Sequence, residues 1–105
     1  MTIKNITSEE EFYQTIANGY TVVDFHAMWC GPCKMLSPVI DKISTLATDI
    51  NFAKVDIDQL SNIAEKYKIH NVPTVFLFAK GKPVSHFVGF KSEAQILEFI
   101  NQNKR

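Results

Sequence analysis

The chain has little of what a nucleic-acid, membrane or metal protein needs. Its 105 residues contain 11 basic and 11 acidic side chains, so the formal net charge is zero and no basic stripe indicates a nucleic-acid partner. No apolar run approaches the roughly 18 residues that suggest a membrane span. Only two cysteines are present, so a zinc site would lack a second cysteine pair. We therefore expect no metal, no nucleic acid and no membrane contact.

The N-terminus also lacks the features of a targeting segment. No apolar core of a signal peptide precedes the acidic residues that begin at Glu9. The expectation is an untargeted, cytoplasmic chain in a reducing compartment, where a lone cysteine pair is more often catalytic or metal-binding than structural. Residues 1–105 are expected to form a single, monomeric domain with one hydrophobic core.

The two cysteines lie two residues apart in Trp29-Cys30-Gly31-Pro32-Cys33. An apolar run precedes them and an amphipathic run follows, so the pair is predicted where a buried strand turns into a helix. Two such cysteines can approach to the roughly 4.4–6.8 Å between Cα atoms that a disulfide needs. A helix N-terminus stabilises a thiolate, and Cys-X-X-Cys thiols reach pKa values of about 3.5–7.5. Cys30 is predicted to be the nucleophile and Cys33 the resolving thiol.

The residues between the cysteines suit that turn. Proline is tolerated in a first helical turn, and glycine allows another backbone to approach, so Gly31 and Pro32 leave little bulk over the sulfurs. A purely structural disulfide is disfavoured, because so short a loop removes little entropy from the unfolded chain. The pattern therefore favours redox chemistry.

Asp24 lies inside the apolar run 21–27, which is typical of a strand buried on both faces. Burying an unpaired carboxylate is costly, so two interpretations stay open. Asp24 either reaches water at a sheet edge, or is a buried carboxyl with a raised pKa that accepts a proton near the cysteines. Lys54, in a predicted strand over 51–57, either faces solvent or brings its ammonium close to Asp24.

Periodicity and capping signals predict the element order β-α-β-α-β-α-β-β-α. Thr7 and Ser8, each followed by a glutamate three positions on, form a doubled capping box. Asp58 is predicted to cap the third helix and Ser92 to begin a capping box on the last one. A tight turn at residues 80–82 makes the last two strands antiparallel, so we expect a mixed sheet with helices on both faces.

These motifs resemble those of the thioredoxin family over essentially the whole chain. The matching segments are Val23-Asp24-Phe25, Trp29-Cys30-Gly31-Pro32-Cys33-Lys34, Pro38, Val72-Pro73-Thr74, Gly81 and Val88-Gly89. The resemblance implies an α/β thioredoxin fold, with a central five-stranded mixed sheet and two helices on each face. It also implies a cis Val72–Pro73 bond against the cysteine pair, and an Asp24 that serves Cys33 in proton transfer.

The residues expected to tune the site are Trp29, Gly31, Pro32, Lys54 and Pro73. The resemblance also implies a surface for substrate binding. The flat apolar docking surface for substrates would consist of Trp29, Gly31, Pro32, Val72, Pro73, Val88 and Gly89.

By resemblance the activity is that of a general protein-disulfide reductase. An NADPH-dependent, FAD-containing thioredoxin reductase would restore the dithiol, and no cofactor would bind this chain itself. Expected substrates are disulfide-containing proteins such as ribonucleotide reductase, peroxiredoxins and methionine sulfoxide reductases. Two alternatives stay open: a disulfide oxidase or isomerase, against which Gly31-Pro32 argues, and a partner's non-catalytic subunit whose thiols never cycle.

Two positions depart from the family pattern. His26 stands where many relatives carry an aromatic side chain, so it either packs as an aromatic substitute or, as an ionisable ring, shifts the local electrostatics. Phe90 stands where a small residue is frequent, and could enlarge the apolar docking patch.

Overall fold

The computed structural model describes residues 3–104. Within this range the chain forms five strands and four helices in the predicted order. They are β1 (Lys4–Ile6), α1 (Glu9–Ile16), β2 (Tyr20–His26), α2 (Gly31–Leu46), β3 (Asn51–Asp56), α3 (Ser61–Lys66), β4 (Thr74–Ala79), β5 (Lys82–Val88) and α4 (Glu93–Asn103).

The five strands form one mixed sheet in the order β1-β3-β2-β4-β5. β3 runs parallel to β1 and β2, whereas β4 is antiparallel to β2 and β5. β2 is therefore the central strand, and its residues 21–25 are buried. A strand covered on both faces reads as a continuous apolar run, which explains the pattern from which it was predicted.

Each face of the sheet carries two helices, as expected. α1 and α3 cover one face, where their side chains pack against alternate residues of β2, with Phe12, Ile16, Ile63, Val23 and Phe25 in one cluster. α2 and α4 cover the other face, with Leu36, Ile40, Ile96, Ile100 and Val22 in the second cluster. Since side chains alternate along a strand, Asp24 shares the face of Val22 and points towards α2.

The predicted helix caps are confirmed at α1 and α4. Ser8 Oγ accepts a hydrogen bond from the Glu11 backbone N–H at 3.1 Å, and Ser92 and Gln95 form a reciprocal capping box. The first box is not doubled, because Ser8 alone is the N-cap and the Glu11 carboxylate accepts from the Thr7 N–H.

The prediction that Asp58 caps α3 is wrong. The N-cap is Leu60, which makes no side-chain capping bond. A turn explains the shift, because the Asp56 carbonyl accepts hydrogen bonds from the N–H groups of Gln59 and Leu60 and delays the start of the helix. The Asp58 carboxylate instead accepts a hydrogen bond from Trp29 Nε1 at 2.9 Å.

The hairpin between β4 and β5 turns through Lys80 and Gly81, both with positive φ (50° and 85°). The Val72–Pro73 peptide bond is cis, as the resemblance implied. No helix within residues 3–104 is long and apolar enough to cross a membrane.

Candidate active site

The cysteine pair lies at the N-terminus of α2 and forms a disulfide, with 5.3 Å between the two Cα atoms. Cys30 is the N-cap residue, with an extended backbone, and Cys33 lies in the first turn. The backbone N–H of Cys33 donates a hydrogen bond to Cys30 Sγ at 3.1 Å. The sulfur thus occupies the place of a capping oxygen, where an unpaired N–H and the helix dipole both favour negative charge.

Both cysteines are buried in a small apolar cluster with Ala27, against which Ile57 and Val72 pack. The carbonyl oxygen of Val72 lies 3.5 Å from Cys30 Sγ. The loop before Pro73 therefore lies directly against Cys30 Sγ. A partner chain that reaches Cys30 must contact this loop.

Several residues that the resemblance assigned to a docking surface are exposed. Trp29 is 69% exposed, Gly31 and Pro32 are also exposed, and Val88 lies at the exposed end of β5. The Pro73 side chain is buried, and its carbonyl accepts a hydrogen bond from the Gly89 N–H at 2.8 Å. Pro73 therefore shapes this surface through its backbone more than through its ring.

Two methionines add apolar surface near the cysteine pair. Met28 is 70% exposed directly before Trp29, and Met35 is exposed on α2. No role was predicted for Met28 from the sequence. The one feature that could have indicated it is a large apolar side chain in a loop, where no periodic pattern predicts burial. Phe90, next to Gly89, is also exposed.

Asp24 is 1% exposed on the central strand, so the interpretation that it reaches water at a sheet edge is wrong. Its Oδ1 accepts no hydrogen bond from the residues that the structure describes. Burial raises the pKa of Asp24 to about 6, with Lys54 acting to lower it and Asp41 to raise it. Asp24 can therefore exchange a proton close to neutral pH.

Lys54 does not face solvent, since its side chain is only 13% exposed. It pairs with Asp24 in the register of β2 and β3. Its ammonium donates hydrogen bonds to Ser37 Oγ at 2.5 Å and Asp41 Oδ1 at 2.9 Å. Neither Ser37 nor Asp41 was predicted from the sequence. The feature that could have indicated them is the four-residue spacing from Cys33, which places all three residues on one face of α2.

A cavity of about 160 Å³ brings the separate parts of the site together. Its walls include Asp24, His26, Met28, Cys33, Ser37 and Lys54. At about 30 Å³ for each water molecule, a cavity of this volume has room for several waters. Asp24 and Cys33 therefore border one and the same cavity.

The three histidines of the chain differ in position. His26 is half-buried in the cavity wall, and burial lowers its pKa, with Asp56 opposing and Lys54 adding to that effect. His86 stacks on Phe76 with 4.9 Å between ring centroids, and His70 is exposed. Within residues 3–104 no group of three or more His, Cys, Asp or Glu side chains is arranged to hold a metal ion.

Comparisons with known proteins agree on one family. Residues 3–102 match the family model for Thioredoxin. A thioredoxin of Chlamydia trachomatis is 38% identical over 99 residues, which cover 94% of this chain and 97% of that protein. A solved structure of Plasmodium falciparum thioredoxin superposes with a TM-score of 0.90 at 35% identity, covering 95% of this chain and 98% of that one.

A further match comes from a structure of a redox system. It concerns the thiol-resolving mechanism of a yeast mitochondrial 1-Cys peroxiredoxin through the glutathione and thioredoxin systems. The matching chain superposes with a TM-score of 0.88 at 30% identity, over 96% of this chain and 95% of that one.

A disulfide at a helix N-terminus, held among apolar side chains and beside a buried acid, defines a thiol–disulfide oxidoreductase. The chain belongs to the thioredoxin family. Its fold is the thioredoxin fold, Cys30–Cys33 is its redox-active disulfide, and its activity is dithiol–disulfide exchange with disulfide-containing proteins.

Proposed function

We propose that Cys30 opens the exchange and Cys33 completes it. The Cys30 thiolate attacks a substrate disulfide, forms a mixed disulfide and releases one substrate thiolate. Cys33 then attacks Cys30 Sγ, which releases the second substrate thiolate and leaves the Cys30–Cys33 disulfide. The observation that carries this order is the hydrogen bond from the Cys33 N–H to Cys30 Sγ at the start of α2, because it favours negative charge on the leading sulfur.

Asp24 is the proposed proton acceptor for Cys33. The two side chains line one cavity, and a carboxyl with a pKa of about 6 is a suitable base near neutral pH. Lys54 tunes this carboxyl, since its ammonium is held nearby by Ser37 and Asp41.

The substrate is proposed to dock over Cys30 on the exposed apolar surface of Trp29, Gly31, Pro32, Val72, Val88 and Gly89, with Pro73 beneath. Apolar burial supplies affinity, and an extended substrate segment can pair with the backbone beside Pro73. Phe90 and Met28 widen this surface. Gly31 and Pro32 leave little bulk over the sulfurs.

We also propose how the chain is used in the cell. As a single cytoplasmic, monomeric domain it would receive electrons from NADPH through the FAD of a thioredoxin reductase. It would then pass them to proteins such as ribonucleotide reductase, peroxiredoxins and methionine sulfoxide reductases. The match to a chain from the peroxiredoxin system supports one of these substrate classes. No cofactor of its own is needed, because the exchanged electrons reside in two sulfurs.

The test is NADPH-driven reduction of insulin by this chain with a thioredoxin reductase. The wild-type chain is expected to consume NADPH, and Cys30→Ser is expected to abolish the reaction. Cys33→Ser should accumulate a mixed disulfide with insulin through Cys30, because nothing resolves it. Trapping through Cys33 in the Cys30→Ser variant instead would reverse the assigned roles, and undiminished turnover by Cys30→Ser would overturn the catalytic role.

A further inference from the structure

His26 forms part of the wall of two cavities. The inner one, already described, contains Asp24 and Cys33. The outer one has a similar volume of about 160 Å³ and is lined by His26, Met28, Lys54, Asp56 and Ile6, together with three exposed polar residues. Those polar residues are Asn5, Thr7 and Gln59. His26 therefore borders both cavities.

The position of His26 follows from strand geometry. It comes two residues after Asp24 on β2, so both side chains point to the same face of the sheet. In the register with β3, Asp24 lies beside Lys54 and His26 lies beside Asp56. The central strand thus sets an acid and an imidazole in sequence, from the buried part of the sheet towards its end.

Each turnover releases a proton from Cys33, and Asp24 must lose that proton before it can accept another. Asp24 is almost fully buried, and Oδ1 has no hydrogen-bond partner among residues 3–104. An imidazole can accept a proton on one ring nitrogen and release one from the other.

We propose that His26 passes the proton that Cys33 gives to Asp24 from the inner cavity to the outer one, and so to solvent. The inference rests on the proposed role of Asp24. In the complete step, the Cys33 S–H bond breaks, the Cys33–Cys30 S–S bond forms and the Cys30–substrate S–S bond breaks. The electron pair leaves with the substrate thiolate, and the proton travels through Asp24 and His26.

The charges around His26 are compatible with this role. Burial, the largest effect, and Lys54 favour the neutral ring, whereas Asp56 on β3 favours the protonated one. Asp24 of the same strand and Cys33 and Lys34 of α2 line the inner cavity. The net effect lowers the pKa of His26, which favours the neutral ring as a proton acceptor. No single charged neighbour holds the His26 ring in one protonation state.

The experiment measures the attack by Cys30 separately from the closure of the disulfide by Cys33. Reduced protein is mixed with excess dithiobis(nitrobenzoate), which releases one coloured thiolate when Cys30 attacks and a second when Cys33 closes the disulfide. His26→Gln is expected to leave the first release unchanged. It should slow the second by about tenfold, less than the roughly 10²–10⁴-fold of direct general acid–base catalysis because Asp24 remains. Added imidazole should restore the second release.

Three further variants test whether lost proton transfer is the cause of the slow second release. His26→Phe keeps an aromatic ring at this position, so it should stay slow if proton transfer matters, and a wild-type rate would show that His26 only packs. Asp24→Asn should also slow the second release. His86→Gln removes an exposed histidine from β5 and should change neither release, with or without imidazole.

Each unexpected result would reject a different claim. A slow second release in Asp24→Asn together with a normal one in His26→Gln would reject proton transfer through His26 and leave the proposed function intact. A normal second release in Asp24→Asn would reject Asp24 as the proton acceptor.

The pH dependence of the second release adds a measurement that a mere packing role of His26 would not change. The faster release of the wild type relative to His26→Gln should disappear as acid protonates the ring. A difference that persists in acid would contradict proton transfer through His26. Urea unfolding of each variant confirms that it is folded.

Discussion

Asp24 and Lys54 occupy paired positions on the neighbouring parallel strands β2 and β3, yet the Lys54 ammonium donates its hydrogen bonds to Ser37 and Asp41 of α2. The positive charge therefore lies near the buried carboxyl and is shared with a second, exposed one. Burial raises the pKa of Asp24, and the shared Lys54 charge opposes this effect only in part, so the pKa is about 6. A direct ion pair would favour ionised Asp24 more strongly and make it a weaker proton acceptor at neutral pH.

The burial of Asp24 predicts that the fold loses stability as pH rises. The folded-state pKa of about 6 exceeds the ordinary aspartate value of 3.8, so the native state binds the proton more tightly. The free energy of unfolding of the oxidised protein should fall between these two values and then level off. Asp24→Asn should therefore raise it by about 2–3 kcal/mol at neutral pH, and by much less below about pH 4.

Urea unfolding at several pH values measures this difference. Glu98→Gln, which removes an exposed carboxylate from α4, controls for the change in net charge and should show no comparable gain. A stabilisation by Asp24→Asn that is equally large in acid would show that ionisation of Asp24 is not its cause.

Lys54 and Asp41 should shift the pKa of Asp24 in opposite directions. Lys54→Met removes a charge that favours the carboxylate, so the pKa of Asp24 should rise above about 6. Asp41→Asn removes a repelling charge and frees the Lys54 ammonium, so the pKa should fall. Carbon NMR titration of the Asp24 carboxyl measures both. Shifts of the same sign in the two variants would contradict this account of the charges.

The hydrogen bond between Trp29 and Asp58 should matter for docking more than for stability. Asp58→Ala frees an exposed indole from its partner at 2.9 Å, so KM for a protein disulfide should rise several-fold with little change in kcat. An exposed hydrogen bond contributes about 1 kcal/mol or less, so the unfolding midpoint should move little. Asp49→Ala removes another exposed carboxylate, at a lysine pair away from Trp29, and serves as the control. An equal rise in KM with Asp49→Ala would point to net charge instead.

Gly89 should tolerate a side chain poorly, for reasons of backbone conformation. Its φ of +93° lies where L residues are strained, although a Cβ there would meet no atom within 4 Å. Gly89→Ala should therefore lower the free energy of unfolding by about 1–2 kcal/mol. Gly31→Ala is the matched control, since its site is equally open and its φ is not positive, and it should not destabilise the fold. Similar losses in both variants would show that φ is not the cause.

The sequence alone is enough to predict the element order, the mixed sheet and the position of the cysteine pair at a helix start. These features rest on local interactions, namely apolar periodicity, capping residues and the geometry of one helical turn. The apolar run of β2 also indicated a strand buried on both faces, but the roles of Asp24 and Lys54 could only be narrowed to alternatives. Which groups lie beside Asp24 depends on strand order and helix packing, which no local pattern encodes.

The hydrogen-bond partner of each polar side chain depends on tertiary packing. Asp58 was predicted to cap a helix and instead binds Trp29, because a turn at Asp56 delays the helix and leaves the carboxylate facing another loop. His26, Asp24 and Cys33 share a cavity because packing of α2 against β2 brings distant residues together. A polar side chain forms hydrogen bonds with the groups that packing places beside it, so its partner depends on the whole fold.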